Sequence, residues 1–161
     1  MTIVHIYHSP EHIYFGHYGR PAGTVPMTSA SRVRLLAGRG VEGDRFTRDI
    51  GAKGQVTFFA LEVWERLCRE LGRTDRRPEV FRRNVIVRGS DLNALVGRDF
   101  ELQGNRFHGV EYCKPCFWMD QAFAPGALAL LTAWKAGGLR SSVLSDGWLC
   151  VDDAEAERCS A

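Results

Sequence analysis

The sequence predicts a mainly β fold, a closed β-barrel with a few short peripheral helices. Three observations carry that expectation. Eight short runs are rich in β-branched or aromatic residues and are mostly bounded by Gly, Asp or Asn. Only two segments have a helical apolar period. The strands do not alternate with helices, which disfavours a doubly wound α/β sheet, and closing a sheet removes its exposed edges.

The expected strands are Ile3–Tyr7, Arg32–Leu36, Gln55–Phe59, Asn84–Arg88, Phe100–Leu102, Arg106–Tyr112, Arg140–Leu144 and Trp148–Val151. Leu61, Trp64, Leu67, Cys68 and Leu71 recur at steps of three and four, so a helix is expected there, stopped by Gly72. A second, shorter helix is expected from Pro125 through Leu128, Leu131 and Trp134 to Gly137-Gly138. Between Tyr14 and Met27 the glycines and prolines leave little periodicity, which predicts a long early loop of the kind that often carries function.

The chain has 161 residues, 45% apolar and 25% charged, which is the ordinary globular mix and one domain's worth of length. A fold of that size buries roughly two-thirds of its unfolded surface and needs no disulfide or metal staple. No apolar run approaches the ~20 residues that span a bilayer, and Met1-Thr2-Ile3-Val4-His5 lacks the order of a signal peptide. The expectation is a single cytoplasmic domain over residues 1–161, with 154–161 as a peripheral tail. Net charge is +2, too balanced for a nucleic-acid or membrane-surface binder. The cations are 18 arginines against Lys53, Lys114 and Lys135. Arg matches phosphate and carboxylate bidentately, so its placement matters.

Five cysteines form no evenly spaced framework, so a secreted disulfide scaffold is not expected. Cys68 and Cys150 fall in helix and strand patterns and read as small core residues, and Cys159 lies in the tail. Cys113-Lys114-Pro115-Cys116 is different. A redox pair would need a βαβ context with the first Cys opening a helix, and the residues that follow, Phe117-Trp118-Met119-Asp120, are not clearly helical. A zinc site needs about four ligands, and no second pair completes one, His108 reading as structural. A single working thiolate beside Lys114 and nearby arginines would ligate a soft metal or carry sulfur. Two structural cysteines in a strand–turn are the plainer alternative.

Gly38-Arg39-Gly40-Val41-Glu42-Gly43 matches the dinucleotide fingerprint, but no helical period follows to take a pyrophosphate. It reads instead as a Gly-rich loop ending in Gly43-Asp44-Arg45, in which Arg45, with Arg48 and Lys53, holds an anion. A tight turn with an Asp44–Arg45 ion pair is the competing reading. Phe81-Arg82-Arg83-Asn84 leads into a strand, either as an anion site or as a solvated basic turn. Arg140 follows Gly137-Gly138; helix capping explains the glycines and leaves Arg140 unexplained.

Taken in order, these blocks resemble the MOSC domain, the family named for the C-terminal domain of molybdenum cofactor sulfurase. The resemblance runs from Ile6–Pro21 through Gly38-x-Gly40-x-x-Gly43-Asp44-Arg45 and the Leu61–Leu71 helix. It continues in Arg82-Arg83-Asn84, Gly89-Ser90-Asp91-Leu92, Leu95-x-Gly97 and Cys113-Lys114-Pro115-Cys116, and closes with Gly137-Gly138-Leu139-Arg140 and Gly147. Val151-Asp152-Asp153 departs from the family's usual Val-Gly-Asp turn.

The resemblance implies a barrel like the β-barrel domain of pyruvate kinase. It implies the molybdenum cofactor (molybdopterin), a pterin dithiolene bearing a phosphate, as ligand. Cys116 would be the catalytic, metal-binding or sulfur-carrying residue, with Cys113 in a supporting role at most. Gly43, Asp44, Arg45, Arg83, Asn84, Lys114 and Arg140 would bind the cofactor. The leading function implied is reduction of N-hydroxylated small molecules. This chain shows no iron–sulfur, flavin or haem motif, so an external electron-transfer protein would be needed. The alternatives are a persulfide carrier fed by a sulfur donor, or a non-catalytic cofactor-binding module.

Overall fold

A computed structural model describes residues 1–12, 23–48 and 52–152. Most of the early glycine- and proline-rich run, Cys159 and the expected tail lie outside the described residues. The elements in order are β1 (Thr2–His8), β2 (Thr28–Ala30), β3 (Arg32–Leu36), β4 (Gly40–Val41), β5 (Val56–Ala60) and α1 (Leu61–Leu71). Then come β6 (Val85–Arg88), β7 (Asp99–Leu102), β8 (Asn105–Tyr112), α2 (Trp118–Ala122), α3 (Ala127–Ala133), β9 (Leu139–Val143) and β10 (Gly147–Cys150). Short 3-10 turns cover Arg45–Arg48, Pro78–Phe81 and Leu92–Leu95.

The expected closed barrel is not formed. Seven strands make an open sheet in the order β2-β1-β6-β5-β9-β8-β7, and a separate sheet has the order β10-β3-β4. The edges β2 and β7 do not pair with each other. The single residue Ser31 separates β2 from β3, so the chain switches sheets instead of continuing one. The mainly β character stands; the closure does not.

Two covers on the large sheet do what closure would have done. One face packs against the small sheet around Ile3, Leu35, Phe58, Val87, Phe107 and Leu149. The opposite face packs against helices around Phe59, Trp64, Leu67, Phe81, Phe123 and Leu131. Neighbouring residues therefore point into different cores, as with Phe58 and Phe59 in β5 or Val85 and Ile86 in β6. That two-sided burial explains their unbroken apolar runs. β5 and β6 pair in parallel, with Phe58 opposite Val85, because α1 carries the chain across between them.

α1 forms as its spacing predicts: Leu61, Trp64 and Leu67 are buried, and Gly72 ends it at φ 60°. There the Arg73 N–H donates to the Cys68 carbonyl at 3.0 Å. The small sheet is tied to the large one through side chains. Gln103 donates to the Cys150 carbonyl at 2.9 Å and accepts from the Cys150 N–H at 2.8 Å. Asn105 donates to the Trp148 carbonyl at 2.8 Å. Gln103→Ala is expected to cost about 1–2 kcal/mol for these two bonds and a third, longer one to Asp152, read as a lower urea midpoint.

Candidate active site

Besides His12, five chain segments among the described residues converge on a cavity of about 410 Å³. They are the 3-10 turn bearing Arg45, the approach to β5 with Lys53 and Gly54, and the approach to β6 with Arg82 and Arg83. The exit from β8 contributes Cys113, Lys114 and Cys116, and β9 contributes Arg140. Of the residues expected at the site, Cys116, Arg45, Arg83, Lys114 and Arg140 line this cavity together. Gly43, Asp44 and Asn84 are not among its lining residues.

Asp44 and Asn84 stand behind the wall as its scaffold. Asp44 is 1% exposed. Its Oδ2 accepts from the Ser9 N–H at 3.0 Å, the Asn84 amide at 3.0 Å and the Arg45 guanidinium at 3.1 Å. Its Oδ1 accepts from the Phe46 N–H at 3.2 Å. The Asn84 Oδ1 accepts from the Thr57 N–H at 3.1 Å and the Thr57 hydroxyl at 2.9 Å, while Nδ2 donates to the Tyr7 carbonyl and to Asp44. The amide's hydrogen-bonding capacity is thus filled inside the protein. Gly43, at φ 78°, allows the turn that delivers Asp44 to this place.

The ion pair and the anion site, offered by the sequence as alternatives, coexist in Arg45. It is clamped by Asp44, donates to the Arg82 carbonyl at 2.9 Å, and still lines the cavity. Arg82 and Arg83 are held differently. Arg82 donates to the Val25 carbonyl at 3.1 Å and the Glu11 carbonyl at 2.7 Å. Arg83 donates twice to the Gly137 carbonyl and once to that of Phe81. Among the described residues, neither forms a salt bridge to a carboxylate. Carbonyl dipoles position these cations without neutralising them, and a buried cation without a counterion favours a bound anion.

The electrostatics agree. Burial, reinforced by Arg45, pushes the Arg82 pKa down to about 10, with Asp44 opposing. Burial also lowers the Arg45 pKa; Asp44 pulls it back and Arg83 adds to the lowering. At neutral pH both remain cationic. An anion in the cavity favours the charged form of Arg82, so affinity is full below its pKa and lost above it. Sulfate, which does not titrate in this range, is expected to bind equally at pH 7 and 8 and to weaken as pH passes about 10, by titration calorimetry.

Sequence reasoning weighed the Arg82-Arg83-Asn84 cluster but left Arg82 out of the cofactor set. Its φ of 55° is what lets two successive arginines serve one cavity. His12, Phe46 and Trp118 also line the cavity and were not anticipated. Trp118 opens α2 and anchors its indole on the Val80 carbonyl at 2.9 Å. Five residues give too short a period to read as helix. His108 lies elsewhere, paired with Asp99 at 2.7 Å near the surface. Among the described residues no three His, Cys, Asp or Glu side chains gather as a metal cage, so a zinc site of four protein ligands is not formed by them.

The MOSC domain family model matches residues 45–154. The chain belongs to the MOSC domain family. Solved structures agree on the fold. YuaD from Bacillus subtilis superposes with a TM-score of 0.68 at 17% identity, over 94% of this chain and 92% of that one. YiiM from Escherichia coli gives 0.64 at 17% identity, over 94% of this chain and 67% of its own. YiiM from Geobacillus stearothermophilus gives 0.65 at 13% identity, over 92% and 70%. No curated protein matches the chain. The MOSC match holds Arg45, Arg83, both cavity cysteines and Arg140, whereas Gly43 and Asp44 precede it. MOSC domains are associated with the molybdenum cofactor. No helix among the described residues is long and apolar enough to cross a membrane.

Proposed function

We propose that this MOSC chain binds the molybdenum cofactor through Cys116 and serves as a reductase of N-hydroxylated small molecules, with electrons from a separate protein. One observation carries the reading: the half-buried Cys116 shares a single cavity with Arg45, Arg82 and Arg83, and among the described residues Asp44 is the carboxylate that forms a salt bridge with this group. A soft sulfur beside a wall with excess positive charge suits a ligand that is a soft metal at one end and a phosphate at the other. The cofactor would supply the oxygen-accepting redox centre. The chain's residues do the rest. Arg82 and Arg83 hold the phosphate with donors that carbonyls have already oriented. Lys114 and Arg140 keep the Cys116 end cationic. Trp118 and Phe46 wall the cavity with aromatic surface.

The test is metal content by mass spectrometry on protein purified without oxygen from a host that makes the cofactor. Wild type is expected near one molybdenum per chain and Cys116→Ser near none. Loaded wild type with a chemical reductant is then expected to reduce a hydroxylamine or an amidoxime. Metal-free wild type would sink the reading. A second reading, a persulfide carrier, is favoured by a different observation: another thiol, Cys113, opens onto the same cavity with Arg140 beside it.

A further inference from the structure

Cys113 and Cys116 line one cavity but are held in different ways. Cys113 leaves the end of β8, is 2% exposed, and donates its N–H to the Gly138 carbonyl at 2.8 Å. Cys116 is half-buried and sits just before α2, its carbonyl accepting from the Met119 N–H at 2.9 Å. The thiol more open to an incoming reagent is Cys116, and the more deeply buried one is Cys113.

Arg140 is fitted to Cys113. Glu111 on β8 holds the Arg140 guanidinium at 3.3 Å from across the ladder. Gly54 makes room for its stem, since a Cβ there would lie 3.1 Å from the Arg140 Cδ. Burial lowers the Arg140 pKa, but the neighbouring Cys113 sulfur and Glu111 together raise it by more. Holding a metal through Cys116 gives this second, cation-matched thiol nothing to do.

We propose that Cys113 is the resolving thiol for a persulfide carried on Cys116, releasing hydrosulfide into the cavity and leaving a Cys113–Cys116 disulfide. This rests on the carrier reading above. Cys116 first takes one sulfane sulfur from a polysulfide or protein persulfide, the donor shortening by one sulfur atom. The Cys113 thiolate then attacks the Cys116 Sγ. The bond from that Sγ to the terminal sulfur breaks, and its electron pair leaves with hydrosulfide. The Cys113 sulfur is oxidised and the terminal sulfur reduced, so no further oxidant enters. An external dithiol reduces the disulfide for the next cycle. Lys114 and Arg140 are the cations placed to retain the departing anion.

The experiment loads metal-free full-length chain with inorganic polysulfide under argon, desalts it without thiols, and follows released sulfide and peptide mass. Wild type is expected to release one hydrosulfide per chain and to yield a Cys113–Cys116 cross-linked peptide. Cys113→Ser and Cys113→Ala are expected to keep one extra sulfur atom on Cys116 and release none. Arg140→Gln is expected to reach the wild-type endpoint about tenfold more slowly, because the cation lining the cavity with Cys113 is lost. Persulfide retained by wild type, or release by the Cys113 variants at the wild-type rate, overturns the proposal while the carrier reading stands. If Cys116 gains sulfur in none of the proteins, the carrier reading falls and the proposal with it.

Discussion

Asp44→Ala is expected to remove about 3–5 kcal/mol of stability, the cost of breaking a buried ion pair from one side. The side chain is fully buried, and the Arg45 partner is 5% exposed. Truncation strands the Arg45 guanidinium, the Ser9 N–H and one proton of the Asn84 amide at once. It also removes the negative charge that opposes the mutual repulsion of Arg45 and Arg82. Against a typical total of about 5–15 kcal/mol, that loss leaves a marginal protein. A second readout separates this account from a general core defect. Sulfate is expected to raise the urea midpoint of Asp44→Ala more than that of wild type, because an anion then supplies the missing charge. Equal sulfate shifts in the two proteins would mean that the cationic cluster is not what fails.

The strands were legible because their apolar patterns are strong: each expected strand has a counterpart within one residue at either end. What escaped is short or lies in glycine-rich sequence. β4 is two residues inside the Gly38–Gly43 run, where a Cβ on Gly40 would fall 2.2 Å from the Gln55 carbonyl oxygen. Gly40 serves that close backbone approach. β2 has three residues and no buried side chain to mark a face. The barrel failed for a different reason. Alternating short strands describe a closed sheet and two packed sheets equally well, and the choice lies in contacts such as those of Gln103 and Asn105 and in the Ser31 bend.

The site divides in the same way. The structure brings Arg45, Arg83, Lys114, Cys116 and Arg140, singled out by residue type and order, to one cavity. Depth was not legible. Asp44 and Asn84 belong to the same sequence blocks as the lining arginines, yet their polar atoms serve Thr57, Tyr7, Ser9 and Arg45. A polar residue in a motif has the same letter whether it faces a ligand or holds the residue that does.

Gly137→Ala is expected to empty the site while leaving most of the fold. Sequence assigned this glycine to stopping a helix, but the structure gives it a tighter duty. A Cβ there would lie 1.9 Å from the Cys113 carbonyl oxygen and 2.9 Å from the Pro115 Cδ. Its φ is not in the left-handed region, so alanine is acceptable to the backbone and the penalty is purely steric. The Cys113–Cys116 segment must move, and it cannot move alone. The Gly137 carbonyl is the seat of Arg83, its N–H donates to the Tyr112 hydroxyl at 3.1 Å, and the adjacent Gly138 carbonyl receives the Cys113 N–H. Overpacking of this kind costs about 1–3 kcal/mol, enough to lower the urea midpoint without unfolding a stable domain. The effect on function is larger, because the shift separates the Cys116 end of the cavity from the Arg83 end. Molybdenum content is expected to fall to the level of Cys116→Ser. Gly104→Ala supplies the control: at φ 75° with open space around its Cβ position, it carries only a backbone penalty of about 1 kcal/mol and keeps its metal. Full molybdenum content in folded Gly137→Ala would show that the cysteine segment does not depend on this close approach for its place in the cavity.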